Sequence, residues 1–145
     1  MIRELEVNEL VPAAIAGQRF VELCKLPITI KPQVFALNWA TIKIEGKGEV
    51  FGAFKAGDLV GGIGCLIHPD LNDGELQAME GFWWVHPEHR GVGLKLLRRF
   101  EDWALSMGAK RVLMGSLKVF EADRMKQMYE KMGYSEIETF WVKGL

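Results

Sequence analysis

The tightest constraint in this chain is the passage Val85-His86-Pro87-Glu88-His89-Arg90-Gly91-Val92-Gly93-Leu94-Lys95. It joins an apolar, aromatic run, Gly81-Phe82-Trp83-Trp84-Val85, to a stretch where Leu94, Leu97, Phe100, Ala104 and Met107 recur at helical spacing. A strand must stop at Pro87, turn through two glycines and leave as a helix. Glycine carries no Cβ, so an anion can come close to the backbone there. The first amides of a helix have no acceptor inside it and hold partial positive charge. Arg90, Gly91, Val92, Gly93, Leu94 and Lys95 therefore read as a cradle for a diphosphate, with Arg90 adding fixed charge at the turn. Gly-x-Gly by itself equally describes a tight turn. The commoner phosphate loops do not fit, because there is no Gly-Lys-Ser/Thr ending and no third glycine at dinucleotide-fold spacing.

At 145 residues and 49% hydrophobic composition, the chain suits one globular domain, 1–145, with a real core. A net charge of −1, without any basic run, gives no electrostatic reason to expect a nucleic-acid partner or an acidic membrane. Cys24 and Cys65 are the only cysteines and read as buried, reduced thiols. They form no metal-ligand set, and His86 and His89 read as turn and surface residues, so no metal is expected. No apolar stretch is long enough to span a membrane and the first residues do not read as a signal peptide, so the expected location is cytoplasmic.

Strands and helices interleave along the chain. Residues 2–7 alternate apolar and charged, as a half-buried strand does. Asn8 is placed to cap a helix over 11–26 that stops at Pro27, and Lys31-Pro32 opens a second to about Ile44 with Phe35, Trp39 and Ile42 on one face. Strands 49–54 and 59–67 flank a hairpin signal, Ala56-Gly57-Asp58. Gly61, Gly62 and Gly64 inside the second strand mark a bulge or a close backbone approach. After a polar loop at 68–74, a strand at 75–85 leads into the glycine turn and its helix, with Gly108 as C-cap. A short buried strand at 111–116, a helix at 119–132 with Met125, Met128 and Met132 on its core face, and a last alternating strand at 136–143 complete the pattern. The class is α/β (α+β) with a mixed sheet.

Val-x-Pro-x-x-Arg-Gly-x-Gly ahead of an amphipathic helix resembles the acetyl-CoA-binding motif of the GCN5-related N-acetyltransferase (GNAT) superfamily. Glu88 stands where that family has Gln or Arg, so Arg90 carries more of the neutralisation. The resemblance implies a mixed, mostly antiparallel twisted sheet with about four helices and two central parallel strands that splay apart, here 76–85 and 111–116. Acetyl-CoA would enter that gap as acyl donor. Backbone groups of Trp83 and Val85 would pair with its pantetheine amides and the Val85 N–H would face the oxyanion. Lys95, Arg98 and Arg99 read equally as helpers that attract its phosphates or as a solvated helix face. Only about a dozen residues follow Gly133, enough for one strand. The acceptor side is then open, or completed by a second subunit as in a homodimer.

Acetyl transfer to an amine requires a neutral amine, a held oxyanion and a proton for the departing thiolate. Delivering an alkylamine neutral at pH 7 costs about 4–5 kcal/mol, which a base can ease. The resemblance places Glu80 at the base position, on the strand beside the splay. The apolar neighbours Met79 and Phe82 would raise its pKa, whereas a solvated-face glutamate is the plain alternative. Glu75, His68 and Asp70 are the runners-up. Met128-Tyr129-Glu130-Lys131-Met132-Gly133-Tyr134 resembles the family's Leu-Tyr-x-x-x-Gly-Phe pattern, which implies Tyr129 as the acid that protonates the thiolate; Ala122 replaces the usual Asn seven positions earlier. Phe82, Trp83 and Trp84 read as core, with a wall of the acceptor pocket as the alternative. The implied function is transfer of an acetyl group from acetyl-CoA to a primary amine of a small-molecule or protein acceptor, by direct attack in a ternary complex. A non-catalytic CoA-binding or interaction module is the reading from another class, towards which Glu88, Ala122 and the short C-terminus lean.

Overall fold

The computed structural model describes residues 1–118 and 121–145. The chain divides into two compact units, Met1–Gly115 and Ser116–Leu145.

The first unit holds a five-stranded sheet in chain order: β1 (Ile2–Glu4), β2 (Gly48–Lys55), β3 (Asp58–Pro69), β4 (Leu76–Val85) and β5 (Arg111–Leu113). The first three pairings are antiparallel and β4–β5 is parallel, so the mixed sheet expected from the sequence is present. Helices α1 (Leu10–Leu23), α2 (Pro32–Ile44) and α3 (Gly93–Ser106) belong to this unit, and α4 (Ala122–Lys131) to the second.

Local chemistry sets several boundaries differently from the periodicity. β1 stops at Glu4, ahead of a 3-10 turn at Val7–Glu9 whose N-cap is Glu6. Asn8 lies inside that turn and caps nothing; the Glu6 N–H donates to the Glu9 carboxylate at 2.8 Å instead. Arg3 grips the same carboxylate at 2.7 and 2.8 Å and holds its pKa down to about 2. α1 ends at Leu23, short of Pro27, because the backbone at Lys25 turns left-handed with φ 52°. Pro32 opens α2 at its first position, where a missing N–H costs nothing.

Two layers of helix cover the sheet. From Gly61 to Leu66 the even-numbered β3 positions face α1 and α2 and the odd-numbered ones face α3, whereas Leu59, beyond a register break at Val60, packs with the cluster of Leu5, Leu10 and Trp39. A Cβ at Gly64 would lie 2.4 Å from Phe82 and 2.5 Å from Trp39, whereas one at Gly61 would lie 3.2 Å from Leu96. On the α2 face Phe82 packs against Phe35 and Trp39, with ring centroids 5.1 and 5.2 Å away. The glycines leave a slot in the sheet that these rings fill. On the α3 face Leu96, Leu97 and Phe100 are fully buried.

One irregularity lies on β3 beside the expected glycines, where Gly61 opposes Ala53 and Leu59 opposes Phe54 so that Val60 is extra, and a second lies across the strand pair on β4. Gly64 opposes Phe82 while Cys65 opposes Glu80, so Gly81 on β4 is the extra residue of a bulge. β5 is tied to the loop before β4 by Arg111, which bonds Asp73 at 2.5 Å and lies 3.8 Å from Asp70 and 3.7 Å from Glu75.

In the second unit α4 starts at Ala122; Val119, the predicted first residue, lies outside the described residues. Its methionine face, Met125, Met128 and Met132, is half-buried rather than core. The predicted last strand at 136–143 does not form. Ile137, Phe140, Trp141 and Val142 are all more than 70% exposed. Alternation supplies strand propensity but not the neighbouring backbone that a ladder needs.

Replacing Gly64 by Ala forces a methyl into the slot held by Phe82 and Trp39. Urea denaturation is expected to show a loss of about 1–3 kcal/mol.

Candidate active site

β4 faces two neighbours in succession. Its parallel pairing with β5 runs only from Gln77↔Arg111 to Met79↔Leu113. The next residue on β4 is Glu80. Beyond that point the edge of β4 is no longer laddered to β5, and the Gly115 N–H donates to the Glu80 carboxylate at 3.1 Å.

The bulge at Gly81 sets where Glu80 points. In an unbroken strand Glu80 and Phe82 would share a face. Here their β3 partners, Cys65 and Gly64, are adjacent and point to opposite faces, so Glu80 and Phe82 do as well. Phe82 goes to the aromatic slot under α2, and Glu80 turns to the α3 face. Burial pushes its carboxyl up to about 7, against the opposing pull of the Gly115 N–H. By surface area the residue is half-buried, with its carboxylate beside the Gly115 N–H.

Further along β4 the amides alternate sides. The His86 N–H donates to Val60 O on β3 at 2.9 Å. The N–H groups of Val85 and Trp83 thus point to the opposite edge, the one that β5 leaves after Leu113. Phe82 and Trp84 face α1 and α2; Trp84 packs 6.3 Å from the Phe20 ring. Trp83 goes to the other face, where its ring would lie 3.6 Å from a Cβ on Gly93.

Between strand and helix lies a 3-10 turn, Pro87–Val92, with His89 in a non-helical conformation inside it. α3 then begins at Gly93, whose N–H donates to Arg90 O. Gly91 has no positive φ, and a Cβ there would meet nothing within 4 Å. Among the described residues nothing demands glycine at that position, so the open space above it is available to a ligand. Lys95 and Arg98 are exposed on α3 and take no part in an ion pair among the described residues. Arg99 departs from the expectation that it serves phosphates: it lies over the Phe51 ring at 4.4 Å and 3.6 Å from Glu4.

The runners-up are differently engaged. Asp70 and Glu75 face Arg111, and hydrogen bonding from Asn72 holds the Asp70 carboxyl below its usual range. His68 Nδ1 lies 3.2 Å from Pro69 O. Burial, with Arg19 adding to it, lowers the His86 pKa. Among the described residues no group of three His, Cys, Asp or Glu could hold a metal ion, and no helix is long and apolar enough to cross a membrane.

Tyr129 lies in the second unit, on α4. Gly133 has φ 90°, the Tyr134 N–H donates to Tyr129 O at 3.0 Å and the Gly133 N–H donates to Glu130 O at 3.1 Å. That pattern is a Schellman cap, and the 5.3 Å contact between the Tyr129 and Tyr134 rings is its usual apolar companion. The Tyr-x-x-x-Gly-Tyr motif therefore has a structural duty as a helix stop. The sequence reading missed the Gly81 bulge, although a glycine inside an apolar strand opposite another glycine is a signal that could have found it.

Solved structures with this fold include a transcriptional regulator from Bacillus halodurans, 17% identical with a TM-score of 0.80, covering 100% of this chain and 99% of that one. An aminoglycoside acetyltransferase from an uncultured soil metagenomic sample is 14% identical with a TM-score of 0.78, covering 100% and 97%. Glucosamine-6-phosphate N-acetyltransferase from Arabidopsis thaliana is 20% identical with a TM-score of 0.73, covering 99% and 97%. At these identities the likeness is one of fold. No curated protein matches the sequence. Residues 21–134, which hold the bulged strand, the glycine turn and the capped helix, match the acetyltransferase (GNAT) family, and the chain belongs to that family of N-acetyltransferases.

Proposed function

We propose that the protein transfers an acetyl group from acetyl-CoA to a primary amine of its acceptor, by direct attack in a ternary complex. The observation that carries this reading is the position and state of Glu80. It stands at the first β4 residue past the parallel ladder, its carboxylate held by the Gly115 N–H, and burial pushes the carboxyl up to about 7. A carboxylate of ordinary acidity would be a poor base for an alkylammonium; one near 7 is better matched.

The remaining roles follow from the family and from local geometry. Arg90 and residues 91–95 hold the diphosphate, through the open approach at Gly91 and the first amides of α3. Trp83 and Val85 present backbone groups along the edge that β5 leaves, as an added strand would require. The Val85 N–H faces the oxyanion, and Tyr129 returns a proton to the thiolate. The acceptor is an amine-bearing small molecule or protein.

Three measurements test this. Gly91→Ala should leave the melting temperature unchanged and weaken CoA binding roughly tenfold or more by calorimetry. Tyr129→Phe should lower kcat about 10-fold to 100-fold with CoA affinity intact; unchanged turnover removes Tyr129 as the acid. The wild-type kcat/KM should rise through an acid limb near pH 7, and Glu80→Gln should lose that limb with about a 100-fold fall in rate. Stability runs in the opposite sense. The native pKa of about 7 lies above the ordinary 4.5, so the folded state keeps a proton that the unfolded chain has released. Stability falls as pH rises from about 4.5 through 7, and Glu80→Gln flattens that slope.

A further inference from the structure

Three neighbouring strands place one side chain each in a row on the α3 face. Glu49 on β2 opposes Cys65 on β3, and Cys65 opposes Glu80 on β4. Directly opposed residues of antiparallel strands share a face, with Cβ atoms about 5 Å apart. The row reads carboxylate, thiol, carboxylate, and it exists only because the bulge at Gly81 turns Glu80 onto that face.

The two carboxylates differ in their surroundings. Glu49 is bonded by Lys43 and by the Val50 N–H at 2.8 Å. Glu80 has the Gly115 N–H and, among the described residues, no cation within ion-pair distance. Arg99, from α3, is the other charge facing the row, and it is held over Phe51 and beside Glu4. Cys65 stands between the carboxylates at 0% exposure. Burial first, and Glu80 second, push its thiol well above the usual range. Such a thiol is a neutral filler and a weak donor. It lies directly across the strand pair from Glu80 and offers the carboxylate no strong hydrogen bond.

Resting on Glu80 as the base, we propose that Cys65 is a positioning residue for amine deprotonation: its buried side chain is the dry flank of Glu80 and separates it from the Lys43–Glu49 ion pair. The test is a carbon-13 NMR titration of the Glu80 carboxyl in wild type, Cys65→Ser, Cys65→Ala and Cys65→Val, which needs no acceptor. A serine hydroxyl donates to the ionised carboxylate and should lower the midpoint by about one pH unit. Alanine opens room for water and should move it the same way. Valine keeps the flank filled and apolar, and should leave the midpoint at the wild-type value. If the serine variant does not fold, the alanine–valine pair carries the comparison. A purely structural cysteine would lower melting temperatures without ordering the midpoints in this way. Midpoints unmoved in both serine and alanine variants, or moved as far by valine, overturn the role of Cys65 and leave Glu80 intact. A wild-type midpoint near the ordinary 4.5 instead overturns Glu80 as the base.

Discussion

The ladder between β4 and β5 ends after Met79 and Leu113, and the rest of the site depends on that ending. A parallel pair that continued would satisfy every amide along β4 and leave no edge for anything else. Because it stops, one strand serves as core on its β3 side and as an open edge on the other. The Gly115 N–H that would have had a backbone acceptor in a continued ladder bonds a side chain instead. The first carboxylate past the stop is thereby both oriented and half-buried.

The bulge at Gly81 is the second half of the same arrangement. It lets two residues of one strand meet opposite demands: Phe82 fills an apolar slot under α2, and Glu80 turns to the α3 face. Removing the extra residue would shift the register by one and exchange the two faces. The slot is equally a product of the sheet, since Gly64 and Gly81 leave the room that Trp39 and Phe82 take up. Stability and site geometry therefore share the same few glycines.

Much of the fold was legible from residue pattern. Pro32, the Ala56–Gly57 turn, the amphipathic run over α3 and the glycine stop after α4 are local signals, and each sits where its own chemistry requires. What was misread depended on partners. Asn8 gave way to a capping pair that brackets it, Glu6 and Glu9. The alternating segment near the C-terminus has the composition of a strand but forms no ladder. Arg99, expected with Lys95 and Arg98 to attract phosphates, is instead engaged by the Phe51 ring and by Glu4.

The order of residues alone determined the turn at 87–93, the apolar stripe of the helix that follows it and the aromatic strand before it, because proline, glycine and 3.6-residue periodicity act within a few positions. It also placed a glutamate five residues before the end of that strand. How far that glutamate is withdrawn from water, and what its carboxylate bonds, was decided only by the tertiary structure. Its acidity depends on what lies across the strand pair and where the parallel ladder stops, and those neighbours, Cys65 and Gly115, are 15 and 35 positions away in the chain.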